Sequence, residues 1–339
     1  MLLRVFLGNK LNNSKNKDIN FLVNHNFLVS SLEQERKEYF NSLLEDIDKD
    51  DFLCIYFVPT SRCNFICPYC YQQGINKLED LTYTEIDLFV EFFIGYVIRN
   101  KIKTINFVLH GGEPTIDWNS IKYILPKISD FCKKHKINFF TQIVTNGYLL
   151  TKDKVDYFRE FNFRRIQVTL DGDKESHNNR RVLLNGHGTY DVIVSNLLSI
   201  LENNLIDIIS LRIDIDKNNY SNIKKFISKL SSMFPPSRIR LSLGFITNTI
   251  TNDSNNYFSQ NGFTSSELGE KYLELYKLAI SHSFEMPDAY TVSSFCTAKI
   301  KHSFIITPKG FFYKCLSFVG RQDFSREIVN CCGLKFESA

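Results

Sequence analysis

A chain of 339 residues with a net charge of +4 can form one large α/β domain and a small additional unit, and its basic residues form no stripe that would indicate a nucleic-acid partner. The longest apolar stretch, residues 86–98, contains Asp87 and Glu91 and is too short to span a bilayer. Because residues 1–7 lack the pattern of a signal peptide, we expect a cytoplasmic protein with no membrane partner.

Short apolar runs alternate with amphipathic segments between residues 52 and 282. We predict strands at residues 52–59, 104–110, 139–145, 165–170, 208–216 and 238–245. We predict one helix that begins at Thr82, where Glu85 completes a capping box, and further helices at residues 120–134, 152–161, 190–203, 221–233 and 265–282. This alternation indicates right-handed βα units and a parallel sheet. Six units are too few to close an eight-stranded barrel, so the predicted fold is a partial (β/α)6 barrel.

Three cysteines, Cys63, Cys67 and Cys70, follow the first predicted strand with the spacing C-x3-C-x2-C. Cysteine thiolates bind iron–sulfur clusters, and four of them normally complete a cubane, so three leave one iron open for a ligand. A disulfide set is not expected in a protein that is not secreted. Zinc would need a fourth ligand, and the nearby Tyr71 and Gln72 are poor candidates. The spacing therefore predicts a cluster with an open iron.

Active sites of such barrels form at the carboxyl ends of the strands. The second predicted strand ends in His110-Gly111-Gly112-Glu113-Pro114, where two glycines allow the backbone to approach a ligand, although a tight turn would also explain them. Turn residues also follow the third strand at Thr145-Asn146-Gly147 and the fourth at Asp171-Gly172.

The fifth predicted strand carries Arg212, Asp214 and Asp216, which alternation places on one face. This face lines a polar barrel interior or, alternatively, belongs to an edge strand that faces solvent. Two other cysteines, Cys54 on the first strand and Cys132 on a helix, are interpreted as small buried hydrophobes.

The cysteine spacing, with Tyr69 just before the last cysteine, resembles the signature of the radical S-adenosylmethionine (SAM) enzymes. The resemblance implies that the open iron binds the amino and carboxylate groups of SAM, and that an electron from the cluster generates a 5′-deoxyadenosyl radical. The sequence Gly111-Gly112-Glu113 resembles the family motif that contacts the methionine amino group. Tyr69 and these three residues are therefore expected to bind the cofactor.

The fourth strand end also resembles the family pattern. By that match Thr169 forms a hydrogen bond to the cofactor and Arg181 pairs with its carboxylate, since an arginine fork donates two bonds to one carboxylate. Arg180 is the alternative partner. Arg212 is a further cofactor-binding candidate, and His177 is expected to form structural hydrogen bonds.

Residues 296–315 resemble the SPASM or twitch extension of this superfamily. Cys296 and Cys315 flank a predicted β-hairpin with its turn at Pro308-Lys309-Gly310, and the resemblance implies that they ligate an auxiliary [4Fe–4S] cluster across the barrel mouth from the first. The chain ends soon after Cys331-Cys332, so we expect at most one auxiliary cluster, with a third thiolate from that pair. The alternatives are a truncated extension and two unrelated buried thiols.

The whole pattern resembles the peptide maturases related to anaerobic sulfatase-maturing enzymes. In the latter an aspartate follows the second hairpin cysteine, whereas this chain has Leu316, so we expect a maturase that forms thioether or carbon–carbon crosslinks in a ribosomally synthesised peptide. The implied partners are a precursor peptide or protein and an electron donor such as flavodoxin or ferredoxin. The alternatives are a small-molecule substrate and a non-catalytic peptide-binding remnant.

The predicted organisation has three parts. Residues 1–50 form a hairpin at 21–29 and a charged helix at 32–46, residues 51–285 form the partial barrel, and residues 286–339 form the twitch-like or SPASM-like extension.

Overall fold

The computed structural model describes residues 50–70, 79–247, 257–287 and 300–320, the short stretches 5–6, 17–25, 27–29, 297–298 and 326–327, and the single residues Ser31, Glu33, Lys37 and Gln72. The strands are β1 (Val5–Phe6), β2 (Leu28–Val29), β3 (Phe52–Phe57), β4 (Thr104–Leu109), β5 (Asn138–Thr145), β6 (Phe163–Thr169), β7 (Ile209–Ile215), β8 (Ile239–Phe245), β9 (Ser303–Thr307), β10 (Phe311–Tyr313) and β11 (Arg326–Glu327). The helices are α1 (Lys17–Asn24), α2 (Tyr83–Arg99), α3 (Trp118–Lys134), α4 (Lys152–Arg159), α5 (Lys174–Asn178), α6 (Tyr190–Glu202), α7 (Tyr220–Met233), α8 (Tyr257–Asn261) and α9 (Ser265–Ser281).

Nine strands form one sheet in the order β11-β10-β9-β3-β4-β5-β6-β7-β8. The six predicted strands, β3 to β8, lie side by side in chain order, and every pair of them is parallel. The sheet has two ends and does not close, so the predicted partial barrel is confirmed. The capping box that begins α2 is also confirmed, because the Thr82 and Glu85 side chains each accept a hydrogen bond from the other residue's backbone N–H.

The two faces of the sheet differ in burial. One face packs against the helices through fully buried side chains such as Phe107, Ile143 and Ile166. Alternate residues point to the opposite, concave face, which we call the lumen, and several of them, including Gln142 and Gln167, are partly exposed. The lumen is therefore accessible from outside. The cysteine loop begins where β3 ends, at the edge of the sheet formed by the carboxyl ends of the strands, which we call the upper edge.

The predicted hairpin at residues 21–29 is wrong. The chain forms helix α1 there, followed by β2, which pairs in parallel with β1. Phe21 and His25 stack on each other and both contact Tyr276 of α9. A spacing of four residues brings side chains together on a helix, and this contact favours helix over strand. Apart from Ser31, Glu33 and Lys37, the predicted helix at 32–46 lies outside the described residues.

The predicted hairpin near the carboxyl terminus is present. Strands β9 and β10 pair antiparallel, and the turn between them contains Lys309 and Gly310 with φ of 66° and 69°. However, β9 also pairs in parallel with β3, which makes the hairpin a continuation of the barrel sheet and not a separate two-stranded unit. Among the described helices, none has the length and apolar character that a membrane span requires.

Candidate active site at the carboxyl ends of the strands

The cysteine loop after β3 lies directly against the loop after β4. The Gly112 N–H donates to the Thr60 carbonyl at 3.2 Å, and the Glu113 N–H donates to the Arg62 carbonyl at 2.8 Å. A Cβ atom on Gly112 would lie 2.2 Å from the Arg62 carbonyl oxygen, and one on Gly111, whose φ is +154°, would lie 2.6 Å from that of Thr60. The two glycines are thus required by this close approach of two backbones. The predicted approach to a ligand stays a prediction.

On its other side the cysteine loop pairs with the segment after Arg181. The Ile66 N–H donates to the Val182 carbonyl, and the Leu184 N–H donates to the Asn64 carbonyl, both at 3.0 Å. This contact between two loops that are far apart in sequence fixes the three cysteines at the end of the lumen.

The three thiols interact with one another electrostatically. Burial raises the pKa of the Cys63 thiol to about 11 and that of the Cys67 thiol to about 12, and the charge of Cys70 raises both. No group of three or more His, Cys, Asp or Glu side chains in the described part of the chain is arranged to hold a single metal ion. In a cubane each thiolate binds a different iron, so its ligands need not converge on one point.

The carboxylate of Glu113 is fully buried and accepts four hydrogen bonds. The donors are the N–H and hydroxyl of Thr115, the Thr145 hydroxyl at 2.7 Å and the Asn146 N–H at 2.7 Å. Glu113 therefore links the loop after β4 to the end of β5. These protein donors satisfy the carboxylate without a ligand, and its predicted contact with the cofactor stays a prediction.

Tyr69 connects the cysteine loop to the end of β6. Its hydroxyl donates to the Asp171 carboxylate and accepts from the Arg181 guanidinium at 2.8 Å. Burial raises the pKa of Tyr69 well above its usual value, so the hydroxyl keeps its proton for this bond.

The two adjacent arginines have different surroundings. Arg180 forms ion pairs with the buried carboxylates of Asp171, at 3.3 Å, and Asp216, and also donates to the Tyr257 hydroxyl at 3.2 Å. Arg181 is also buried, but its Nε donor has no hydrogen-bond partner. Sequence alone could not separate these two residues. An unpaired buried donor is costly to a protein, and of the two arginines only Arg181 keeps such a donor.

His177 is buried and holds this region together, as expected. The Asp171 N–H donates to its Nδ1 at 3.2 Å, so its Nε2 carries the proton and donates to the Thr189 hydroxyl at 3.0 Å. That hydroxyl in turn donates to the Arg181 carbonyl at 2.6 Å. Burial lowers the pKa of His177 well below its usual value, which keeps the ring neutral.

The polar face of β7 points into the lumen. Strand β7 has a neighbour on each side, so the edge-strand alternative is excluded. Arg212 donates to Asp214 at 2.7 Å, and a Cβ atom on Gly244 of β8 would collide with its guanidinium, so the glycine makes room for this arginine. Thr169 is level with Arg212 across the β6–β7 pair.

A residue that the sequence analysis did not single out, Asn219, ties the strand ends together. Its side chain donates to the carbonyls of Asp171 and Asp214 at 2.9 Å each, and accepts from the Asp216 N–H at 2.9 Å. An asparagine at the start of a helix carries no sequence signal for such a role.

Of the predicted auxiliary ligands, only Cys315 lies within the described residues, and it is half-buried. It follows β10, whose Tyr313 is level with Ile305 of β9 and hence with Tyr56 of β3. Cys315 therefore lies just past the end of β10 that is farther from the cysteine loop, and the auxiliary cluster across the mouth stays a prediction. Cys296, Cys331 and Cys332 lie outside the described residues.

Comparison with known proteins identifies the class of enzyme. The model of the radical SAM superfamily matches residues 57–230, and the chain belongs to this superfamily. It is thus an enzyme, and membership implies a [4Fe–4S] cluster and SAM as cofactors.

Individual proteins add detail. The chain is 32% identical over 143 residues to a cysteine-type anaerobic sulfatase-maturating enzyme of Clostridium novyi, a match that covers 41% of this chain and 37% of that enzyme. The chain spans less than half the length of the curated relatives it matches. The expected relation to anaerobic sulfatase-maturing enzymes is confirmed.

Two groups of solved structures share the fold. The anSMEcpe structure with bound AdoMet and Kp18Cys peptide has a TM-score of 0.62 at 15% identity, covering 82% of this chain and 78% of that one. Streptococcus suis SuiB bound to its precursor peptide SuiA has a TM-score of 0.57 at 15% identity, covering 97% and 71%. At this identity the likeness concerns the fold.

Proposed function

We propose that this radical SAM enzyme modifies a side chain of a peptide or protein, in the maturation of a ribosomally synthesised peptide by a thioether or carbon–carbon crosslink. The likeness of its fold to enzymes solved with peptides supports a peptide substrate. The partly exposed polar side chains of the lumen, such as Gln142 and Gln167, support it further, because a substrate segment could reach them.

The residues at the strand ends fit the cofactors. Cys63, Cys67 and Cys70 would hold the cluster, and the unpaired Nε of Arg181 would donate to the SAM carboxylate. This buried, unpartnered donor beside the cysteine loop is the observation that carries the assignment. Tyr69, Gly111, Gly112, Glu113, Thr169 and Arg212 are proposed to complete the cofactor site.

When bound, the [4Fe–4S] cluster and SAM would supply radical chemistry that removes hydrogen from the substrate. The chain's own residues orient the cofactor. The Tyr69 hydroxyl holds one arm of the Arg181 guanidinium, which leaves Nε directed elsewhere. The close contact of Gly112 with the cysteine loop limits the movement of that loop.

The cluster assignment is tested with anaerobically reconstituted protein. We expect reduced wild-type protein to bind iron and to produce 5′-deoxyadenosine from SAM, and we expect a Cys63→Ala/Cys67→Ala/Cys70→Ala variant to lose this activity, since no thiolate remains in the loop. Cys132→Ala, which removes a buried thiol from α3, is the control and should behave as wild type. Unchanged SAM cleavage in the triple variant, or zinc in place of iron, would contradict the assignment.

The peptide assignment is tested separately, with synthetic peptides made from any short reading frames found beside the gene. A crosslinked product should lack two hydrogen atoms by mass spectrometry. SAM cleavage that modifies small molecules but never these peptides would show that the substrate assignment is wrong while the cofactor site stands.

A further inference from the structure

A row of side chains crosses the lumen at half its height. Tyr56, Val108, Gln142 and Arg165 lie in register on the adjacent strands β3 to β6. They point away from the helices, because the residues that follow them in sequence belong to the helix-packed core. Three of the four are polar and partly exposed. The Tyr56 and Val108 end of the row packs with Cys54 and Ile300, whereas Gln142 and Arg165 present polar groups to the lumen.

Charges on this part of the lumen do not balance. Three arginines, Arg165, Arg212 and Arg240, point into the lumen from β6, β7 and β8. Two of them have carboxylate partners, because Arg212 pairs with Asp214 and Arg240 pairs with Glu285.

Arg165 has no such partner. Its Nη2 donates a hydrogen bond to the neutral Ser210 hydroxyl at 3.1 Å, and among the described residues no carboxylate lies within ion-pair distance of its guanidinium. Burial, and secondarily the charge of Arg240, lowers the pKa of Arg165, whereas Tyr56 opposes the shift. An arginine nevertheless stays protonated in proteins, so among the described residues Arg165 carries a positive charge in the lumen without an ion pair.

A partly buried guanidinium without an anion is unfavourable, since it has lost hydration without gaining a partner of opposite charge. The amides of Gln142, which is level with Arg165, and Gln167, two residues along the same face, add further donors. Together these groups form a donor-rich patch of the lumen suited to a carboxylate.

We propose that Arg165 binds a carboxylate of the substrate, either an aspartate or glutamate side chain or the free carboxyl terminus of the peptide. This inference rests on the proposed function in taking the substrate to be a peptide. Arg165 precedes Thr169 by four residues on β6, which places it about 13 Å below the proposed cofactor site. An extended segment of about four residues spans that depth, so Arg165 fixes which residue is presented to the cofactor.

The test uses three probe peptides and reconstituted, SAM-loaded protein that is not reduced. The probes are acetyl-Gly-Glu-Gly-amide, acetyl-Gly-Gln-Gly-amide and acetyl-Gly-Gly-Gly with a free carboxyl terminus. Dissociation constants are measured by ligand-observed NMR, and bound SAM prevents the probes from using Arg181. We expect at least one acidic probe to bind about tenfold more tightly than the glutamine probe, as loss of a charge-assisted hydrogen bond predicts.

Substitutions test whether Arg165 is the residue responsible for the preference for an acidic probe. Arg165→Gln should remove the preference for an acidic probe. Arg165→Lys keeps the positive charge and should keep part of the preference, and it allows the test to be made if the glutamine variant does not fold. Arg159→Gln, which removes an exposed arginine at the end of α4, is the matched control and should retain the preference. The acidic probe that binds shows whether a side chain or a carboxyl terminus is recognised.

Equal binding of all three probes to wild-type protein, or a preference that survives Arg165→Gln, would overturn the inference. The proposed function has a separate readout. If the protein fails to bind SAM but still shows an Arg165-dependent preference for an acidic probe, the lumen site is supported and the cofactor assignment is contradicted. If the protein binds SAM but shows no preference among the probes, the cofactor assignment stands and the lumen site is contradicted.

Discussion

Arg180 and Arg181 show how neighbouring residues of one type can serve different purposes. The Arg180 guanidinium is enclosed by Asp171, Asp216 and Tyr257, so its bonds are within the protein. Arg181 bonds to Tyr69 through one nitrogen and leaves Nε unpaired. The first residue holds the ends of β6 and β7 together, and the second is available to a ligand.

This difference predicts that a substitution of Arg181 weakens SAM binding, whereas a substitution of Arg180 lowers the stability of the protein. Arg181→Ala should weaken SAM binding by about 1.5–3 kcal/mol, the worth of a charge-assisted hydrogen bond, as measured by calorimetry on reconstituted protein. Arg180→Ala should instead lower the free energy of unfolding in urea by about 3–5 kcal/mol, because it leaves two buried carboxylates unpaired. Normal SAM binding by Arg181→Ala, together with lost binding in a stable Arg180→Ala variant, would place the cofactor contact one residue earlier.

At the level of elements, the sequence determined the strands and helices of the barrel well. Strands β3 to β8 match the predicted ones to within a few residues, because each is a short apolar run buried on the helix side. The pattern failed at residues 21–29, where contacts with Tyr276 of α9 decide the local structure. Such contacts join distant parts of the chain and leave no periodic signal.

The sequence likewise predicts some parts of the candidate site and not others. The cysteines and the glycine pair could be found from the sequence, because their chemistry requires those residue types at those positions. Sequence could not show that Gly112 contacts the backbone of Arg62, nor that Asn219 links two strand ends. Both facts depend on how loops from different strands meet.

The contact between the loops after β3 and β4 leads to a prediction about Gly112. Gly112→Ala would place a Cβ atom 2.2 Å from the Arg62 carbonyl, so one of the two loops must shift. We expect the free energy of unfolding to fall by about 1–3 kcal/mol and iron incorporation to fall with it. Urea denaturation of the apoprotein and iron analysis after reconstitution measure the two effects.

Gly95→Ala is the matched control for Gly112→Ala. Gly95 lies in helix α2 with nothing within 4 Å of its would-be Cβ, so alanine should be neutral or stabilising by up to about 1 kcal/mol. If Gly112→Ala behaved like Gly95→Ala, the close approach of the two loops would not be needed for the site.

For the whole molecule, the important feature is the continuity of the sheet. Strand β9 pairs with β3, the strand that leads into the cysteine loop, and Val58 packs with Ile305 and Tyr313 of the hairpin. Cys315 is therefore joined to the cysteine loop through paired backbone and packed side chains. Any cluster bound at Cys315 would be held on the same framework as the first.

Iron content tests whether that second cluster exists. We expect about eight irons per chain in reconstituted wild-type protein and about four in a Cys296→Ala/Cys315→Ala variant, as two [4Fe–4S] clusters require. A Cys54→Ala/Cys132→Ala variant, which removes two buried thiols from β3 and α3, is the control and should retain about eight irons. About four irons in the wild type and in both variants would show that Cys315 belongs to a hairpin that only extends the sheet. The peptide-maturase proposal would then depend on the barrel and its lumen alone.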